Sequence, residues 1–193
     1  MKIVTVRGIA ATAAVIVLLV TGCGDDDDAD VGAAGERETT TSAAAEEEEA
    51  GAPVEVTAVD YEFQGLPDTV PAGTVLSLVN ESETELHEIG AFRLDDEEER
   101  SVEELVALPE GEFDPGTPAM VLLAPPGGEQ IAAVGDGTLT EPGRYAVICS
   151  VPTGADPAAY LEAAQEPHGS GPPEVEGGPP HFTQGMYAEL IVE

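Results

Sequence analysis

An all-β antiparallel sandwich or barrel is the fold class this sequence predicts, and three observations predict it. Short runs in which apolar and polar residues alternate recur from residue 54 onward, the period of half-buried strands. Turn signals separate them, such as Val-Pro-Ala-Gly at 70–73 and Pro-Gly at 142–143. Helical signals are confined to two brief stretches that read as inserts, and the 140 residues from 54 to 193 suit a single domain.

The chain opens on Lys2 and Arg7 followed by an apolar run over 9–20 that ends Val-Thr-Gly-Cys at 20–23. A positive n-region, a short apolar core and small residues before the cut predict a secretory signal over 1–22. The run is shorter than the roughly 20 residues that span a bilayer. With Cys23 directly after Gly22 it resembles a bacterial lipoprotein signal, which implies that Cys23 is lipidated. The expected location is the extracytoplasmic face of the cell membrane, held by that lipid. Residues 23–53 carry Asp25 to Asp28, a Thr/Ser patch and Glu46 to Glu49 without an aromatic. Such a stretch buries too little to offset its ordering entropy and is expected to be a disordered acidic tether.

Strand signals follow in order. Val54, Val56 and Ala58 alternate with Glu55 and Thr57, and Tyr61 and Phe63 extend that strand. The turn at 70–73 leads into a second strand over 74–80, and a polar loop over 80–84 into a third over 86–94, with His87, Ile89 and Ala91 on one face. Ser101 and Glu104 form a capping box ahead of a short helix to about Leu108. Residues 120–123 and 129–134 are candidate strands. The turn at 139–143 precedes a strand over 144–150 with Tyr145, Val147 and Cys149 on one face. Asp156 and Pro157 predict a helix start, running to about Gln165. Residues 169–180 hold too much Gly and Pro for regular structure, and a last strand runs over 187–192.

Charge and cysteine count narrow the chemistry. Without Lys2 and Arg7, four arginines face 39 acids, a net of −35, and no Lys remains. That field repels nucleic acid and anionic lipid and favours cationic partners and metal cations; it equally fits solubility in high salt. With Cys23 committed to lipid, Cys149 has no disulfide partner in an oxidising compartment. Such a thiol is either inert in the core or held as a metal thiolate.

Beyond residue 23 the sequence holds three His (87, 168, 181), Met120, Met186 and Cys149. His87 opens a strand, Cys149 closes one, and His181 and Met186 flank a short turn before the last strand. Strand ends at one pole of a sandwich converge, so His87, Cys149, His181 and Met186 can meet there. Two imidazoles and a thiolate with a weak axial thioether are the donor set of blue copper. Taken singly each signal is bland: a lone His at a strand start is more often on the surface, and a buried Cys is usually a small hydrophobe. His168, in the Gly/Pro-rich stretch, competes with His181. Met120 lies in an apolar strand and reads as core.

Residues 56–94, with Asp60-Tyr61-Glu62-Phe63, the 70–74 turn, Asn80 and His87, resemble the N-terminal half of plastocyanin- and azurin-type cupredoxins. Residues 142–149 and 181–186 with the final strand resemble the C-terminal half. The resemblance implies a cupredoxin-like Greek-key β-sandwich holding one copper through His87, Cys149, His181 and a weak Met186. The chain departs from that pattern in the 31 residues between Cys149 and His181, where the family loop is short. A long loop needs packing of its own to keep His181 in place.

The expected function is a one-electron carrier, a monomer that meets redox partner proteins and binds no nucleic acid. Two alternatives stay open: a copper module for storage, delivery or sensing, and a metal-free domain for adhesion or scaffolding. An enzyme is not expected. Three His are too few for a multicopper oxidase cluster, one available Cys excludes a two-Cys binuclear copper centre, and no nucleophile, Walker or zinc-protease motif is present.

Overall fold

The computed structural model describes residues 52–109, 111–166 and 171–193. The signal, Cys23, His168 and the tether up to residue 51 lie outside the described residues.

Two sheets form the sandwich. The first is four-stranded and comprises β1 (Val54–Val59), β2 (Glu62–Gln64), β4 (Thr74–Asn80) and β8 (Thr138–Leu139). Its order is β2-β1-β4-β8, with β1 and β4 parallel. The second comprises β3 (Thr69–Val70), β5 (His87–Arg93), β6 (Met120–Ala124), β7 (Ile131–Val134), β9 (Gly143–Ile148) and β10 (Tyr187–Val192). Its order is β3-β10-β9-β5-β6-β7, with β3 parallel to β10 and the other pairs antiparallel. Half of the strand pairs, β1-β4, β4-β8, β3-β10 and β5-β9, join strands that are not consecutive in sequence, and the two sheets form the β-sandwich expected, with short helices in the connections.

Between the sheets lies one apolar core, with Val56, Leu76, Leu78, Ile89, Leu122, Tyr145, Val147 and Leu190 among its buried members. A second, smaller cluster covers the outer face of the six-stranded sheet. There α1 (Val102–Val106) lays Val102 and Leu105 on Phe92, Leu94, Ala146 and Ile148. The centre of that sheet is therefore buried on both faces, which is why β5 carries no exposed residue. The capping box at Ser101 and Glu104 is formed as expected, though the helix ends at Val106, not Leu108. The second helix, α2 (Pro157–Ala163), starts at the Asp156 cap and stops two residues short of Gln165.

One local reading needs correction. Tyr61 and Phe63 do not extend β1; Asp60 (φ 33°) and Tyr61 (φ 75°) make a two-residue turn into β2. A turn with both central residues at positive φ matches the twist of an antiparallel pair. Asp tolerates that conformation, but Tyr there is unusual and sequence patterning gives no warning of it.

Candidate metal centre

The first donor, His87, opens β5 opposite Ala124 of β6. Asn80 fixes that corner. Its amide nitrogen donates to the carbonyls of Ala124 and Glu85, each at 2.8 Å, and its carbonyl accepts the Ser82 N–H at 2.8 Å. The end of β4, the polar loop and the end of β6 are thus tied together around the imidazole.

Cys149 follows β9 directly, and its neighbours on the other chain segment are His181 and Met186. His181–Gln184 forms a single 3-10 turn, ended by Gly185 at φ 114°, a conformation suited to glycine. The Cys149 N–H donates to the Met186 carbonyl (3.1 Å), Phe182 N–H to Cys149 O (2.9 Å), and His181 N–H to Val151 O (3.0 Å). Beyond these, Pro152 bridges Pro180, Thr153 N–H donates to Pro179 O (3.0 Å) and Gly178 N–H to Thr153 O (2.8 Å). Prolines have no N–H but keep a carbonyl, and here Pro179 supplies the acceptor. The long insert is therefore closed at its base by a paired stem. Loop entropy grows only slowly with length, so once the stem is zipped the extra residues cost His181 little of its placement.

The ligand atoms of His87, Cys149 and His181 all lie within 4.8 Å of one another, and each of these residues is fully buried. In a trigonal or tetrahedral site, bond lengths of about 2.0–2.3 Å put donors about 3.3–3.8 Å apart, so the cluster closes on a single ion with a movement of about 1 Å. The sulfur is 3.3 Å from His181 Nδ1 and accepts the Glu88 N–H at 3.3 Å. The two imidazole centroids are 5.0 Å apart. Met186 is fully buried in the same core cluster as Cys149. Met120 pairs with Ala91, four residues along β5 from His87 and so about 13 Å away, in keeping with a core role.

Unpaired polar atoms make the case that this cluster fits a cation. Both ring nitrogens of His87 and Nε2 of His181 are buried without a hydrogen-bond partner. A buried unsatisfied polar group costs about 1–3 kcal/mol, so the His87 ring, with neither nitrogen partnered beside a thiol and a second imidazole, points to a missing partner. Burial, reinforced by the His181 ring, lowers the His87 pKa to about 4, so near neutrality the ring is uncharged with a lone pair free. Burial first, and the Glu88 charge second, push the Cys149 thiol well up. It holds its proton until a cation displaces it, the usual exchange for a thiolate ligand.

Two flanking groups were not foreseen from sequence. Tyr61 sets its ring edge-on to His181 with centroids 4.8 Å apart, so the unusual turn conformation places a lid over the imidazole. Glu85 Oε2 lies 3.4 Å from His181 Nε2, at ion-pair distance though not aligned as a hydrogen bond, and accepts the Gly154 N–H at 3.0 Å. Burial lowers the His181 pKa and the Glu85 charge works against that. With Nδ1 turned to the sulfur and Nε2 to a carboxylate, the ring is oriented from both sides, as metal-bound imidazoles usually are.

All four residues expected from sequence are thus buried at one pole. His168, the competing imidazole, lies outside the described residues. Soft sulfur donors with two imidazoles suit copper, and this is a candidate copper site.

No family model and no curated protein matches this chain. Among solved structures it is similar to dithionite-reduced auracyanin from the photosynthetic bacterium Roseiflexus castenholzii, at 19% identity and TM-score 0.41, over 73% of this chain and 96% of that one. It is similar to auracyanin A, a blue copper protein of the green thermophilic photosynthetic bacterium Chloroflexus aurantiacus, at 16% identity and TM-score 0.38, over 73% and 98%. Auracyanin B aligns at 16% identity and TM-score 0.32, over 74% and 88%.

Proposed function

We propose that this chain is an extracytoplasmic, lipid-anchored type 1 copper protein that carries single electrons. The observation that supports this most is the buried His87–Cys149–His181 cluster with its unpartnered ring nitrogens. Copper, when bound, supplies a one-electron couple. His87 and Cys149 hold their places through strand pairing, and His181 through the paired stem, so the donors need move little between oxidation states. Met186 sits beside them as the weak fourth donor. Full burial of the three ligand residues favours retention over hand-off, which argues for a carrier over a delivery module.

Electron exchange and metal release separate those two readings. Mixed with a soluble cationic redox protein, the copper-loaded chain is expected to exchange electrons within milliseconds to seconds while keeping its copper against a weak chelator. Slow exchange with prompt loss to the chelator would instead mark a storage or delivery protein.

The anchor is proposed from the sequence alone. Because cleavage before Cys23 is expected to expose it for lipidation, Cys23→Ser should free the protein from the membrane fraction or leave its signal uncut. Normal processing with unchanged membrane association would contradict lipidation.

A further inference from the structure

Glu88 is a buried carboxylate one residue beyond His87, on the face of β5 turned away from the core between the sheets. An isolated charge in such a place would be expensive, so its partners matter. Oε1 accepts the Ser150 N–H at 2.8 Å and Oε2 accepts the Tyr160 hydroxyl at 3.1 Å. Its own N–H donates to the Cys149 sulfur at 3.3 Å. Ser150 directly follows Cys149, and Tyr160 is a fully buried residue of α2, inside the insert. One side chain thus connects the His87 strand, the Cys149 corner and the helix of the insert.

We propose, building on the copper reading, that Tyr160 of the insert is a positioning residue that acts through Glu88 to hold the Cys149 sulfur for the metal, making the long insert an arm of the metal centre. The clamp works in two stages. The Ser150 bond fixes the chain just past Cys149 against β5, which keeps the Glu88 N–H aimed at the sulfur. The Tyr160 bond then stops the carboxylate from turning away, because Oε2 has a partner only while α2 is docked. A hydrogen bond to a ligand sulfur withdraws electron density from it, so this N–H bears on the energy of the thiolate as well as its position. Sequence separations of 62 and 72 residues between the bonded partners mean that the contacts exist only in the folded domain.

Tyr160→Phe, Glu88→Leu and Glu88→Gln in the full chain test this, with and without copper. In the copper-loaded protein, Tyr160→Phe and Glu88→Leu are expected to shift the thiolate-to-copper band and the reduction potential. Glu88→Gln should lie nearer wild type, since Gln can accept from Ser150 and donate to the Tyr160 oxygen. In the metal-free protein, the rate at which a thiol reagent labels Cys149 should rise severalfold in Tyr160→Phe and Glu88→Leu and much less in Glu88→Gln. Should Glu88→Leu fail to fold, Tyr160→Phe, which deletes a single oxygen, carries the test. A lowered melting temperature with band, potential and labelling rate all unchanged would show a purely structural contact and overturn the proposal. If the wild type shows no copper band, the copper reading fails, and the labelling rates still decide whether Glu88 and Tyr160 hold the sulfur.

Discussion

His181→Gly is expected to eliminate the visible copper band, and added free imidazole to restore part of it. The structure supports both halves of that result. The His181 ring is fully buried between the Cys149 sulfur, the His87 ring and Tyr61, so its removal leaves a hole the size of an imidazole next to the remaining donors. The hole should persist. His181 N–H is bonded to Val151 O, and the stem beneath it is paired from Cys149 to Thr153. A site whose walls are held in this way collapses poorly, which makes a large truncation costly and also leaves room for a small ligand. His168→Ala serves as the matching control and should leave the spectrum intact. The opposite pattern, with His168 essential and His181 dispensable, would move the second imidazole into the insert.

Much of this centre was readable in the sequence, because its donors sit where strands begin and end. His87 after a polar loop, Cys149 after an alternating run, and His181 and Met186 around a short turn are local features, and local patterning marks strand ends well. The contacts that fix those donors are a different matter. Glu88 alternates with His87 and Ile89 and so reads as a solvent-facing position; in the fold Ser150 and Tyr160 of α2, brought over by the insert, close on its carboxylate. The stem at 149–153 and 178–186 has no periodicity, since Pro and Gly fill one of its strands and the pairing uses isolated carbonyls. Tyr61 and Phe63 read as a continuation of the first strand's apolar side, yet the tight reversal into β2 places Tyr61 in a turn with positive φ. The parallel pairing of β3 with β10 joins residues more than a hundred positions apart and leaves no local trace. Apart from the local turn at Tyr61, these contacts join segments far apart in sequence and leave no local pattern.

The visible spectrum of Cys149→Ser tests the central claim most directly. Wild-type protein should bind one Cu(II) and show a strong band from thiolate-to-copper charge transfer, which requires a deprotonated sulfur bonded to the metal. With Cys23 in the proposed lipid linkage, Cys149 is the one cysteine left to supply it. Its thiol is pushed up by burial, so copper must displace the proton, and a serine hydroxyl at that place neither ionises readily nor gives the band. Serine is close in size, so the fold and the two imidazoles should persist, holding at most a pale and weakly bound copper. Numerous surface carboxylates can also bind copper, so affinity alone does not discriminate. The account predicts an intense band at one copper per chain in the wild type and none in Cys149→Ser; a colourless one-to-one complex, or colour that survives the substitution, would contradict it.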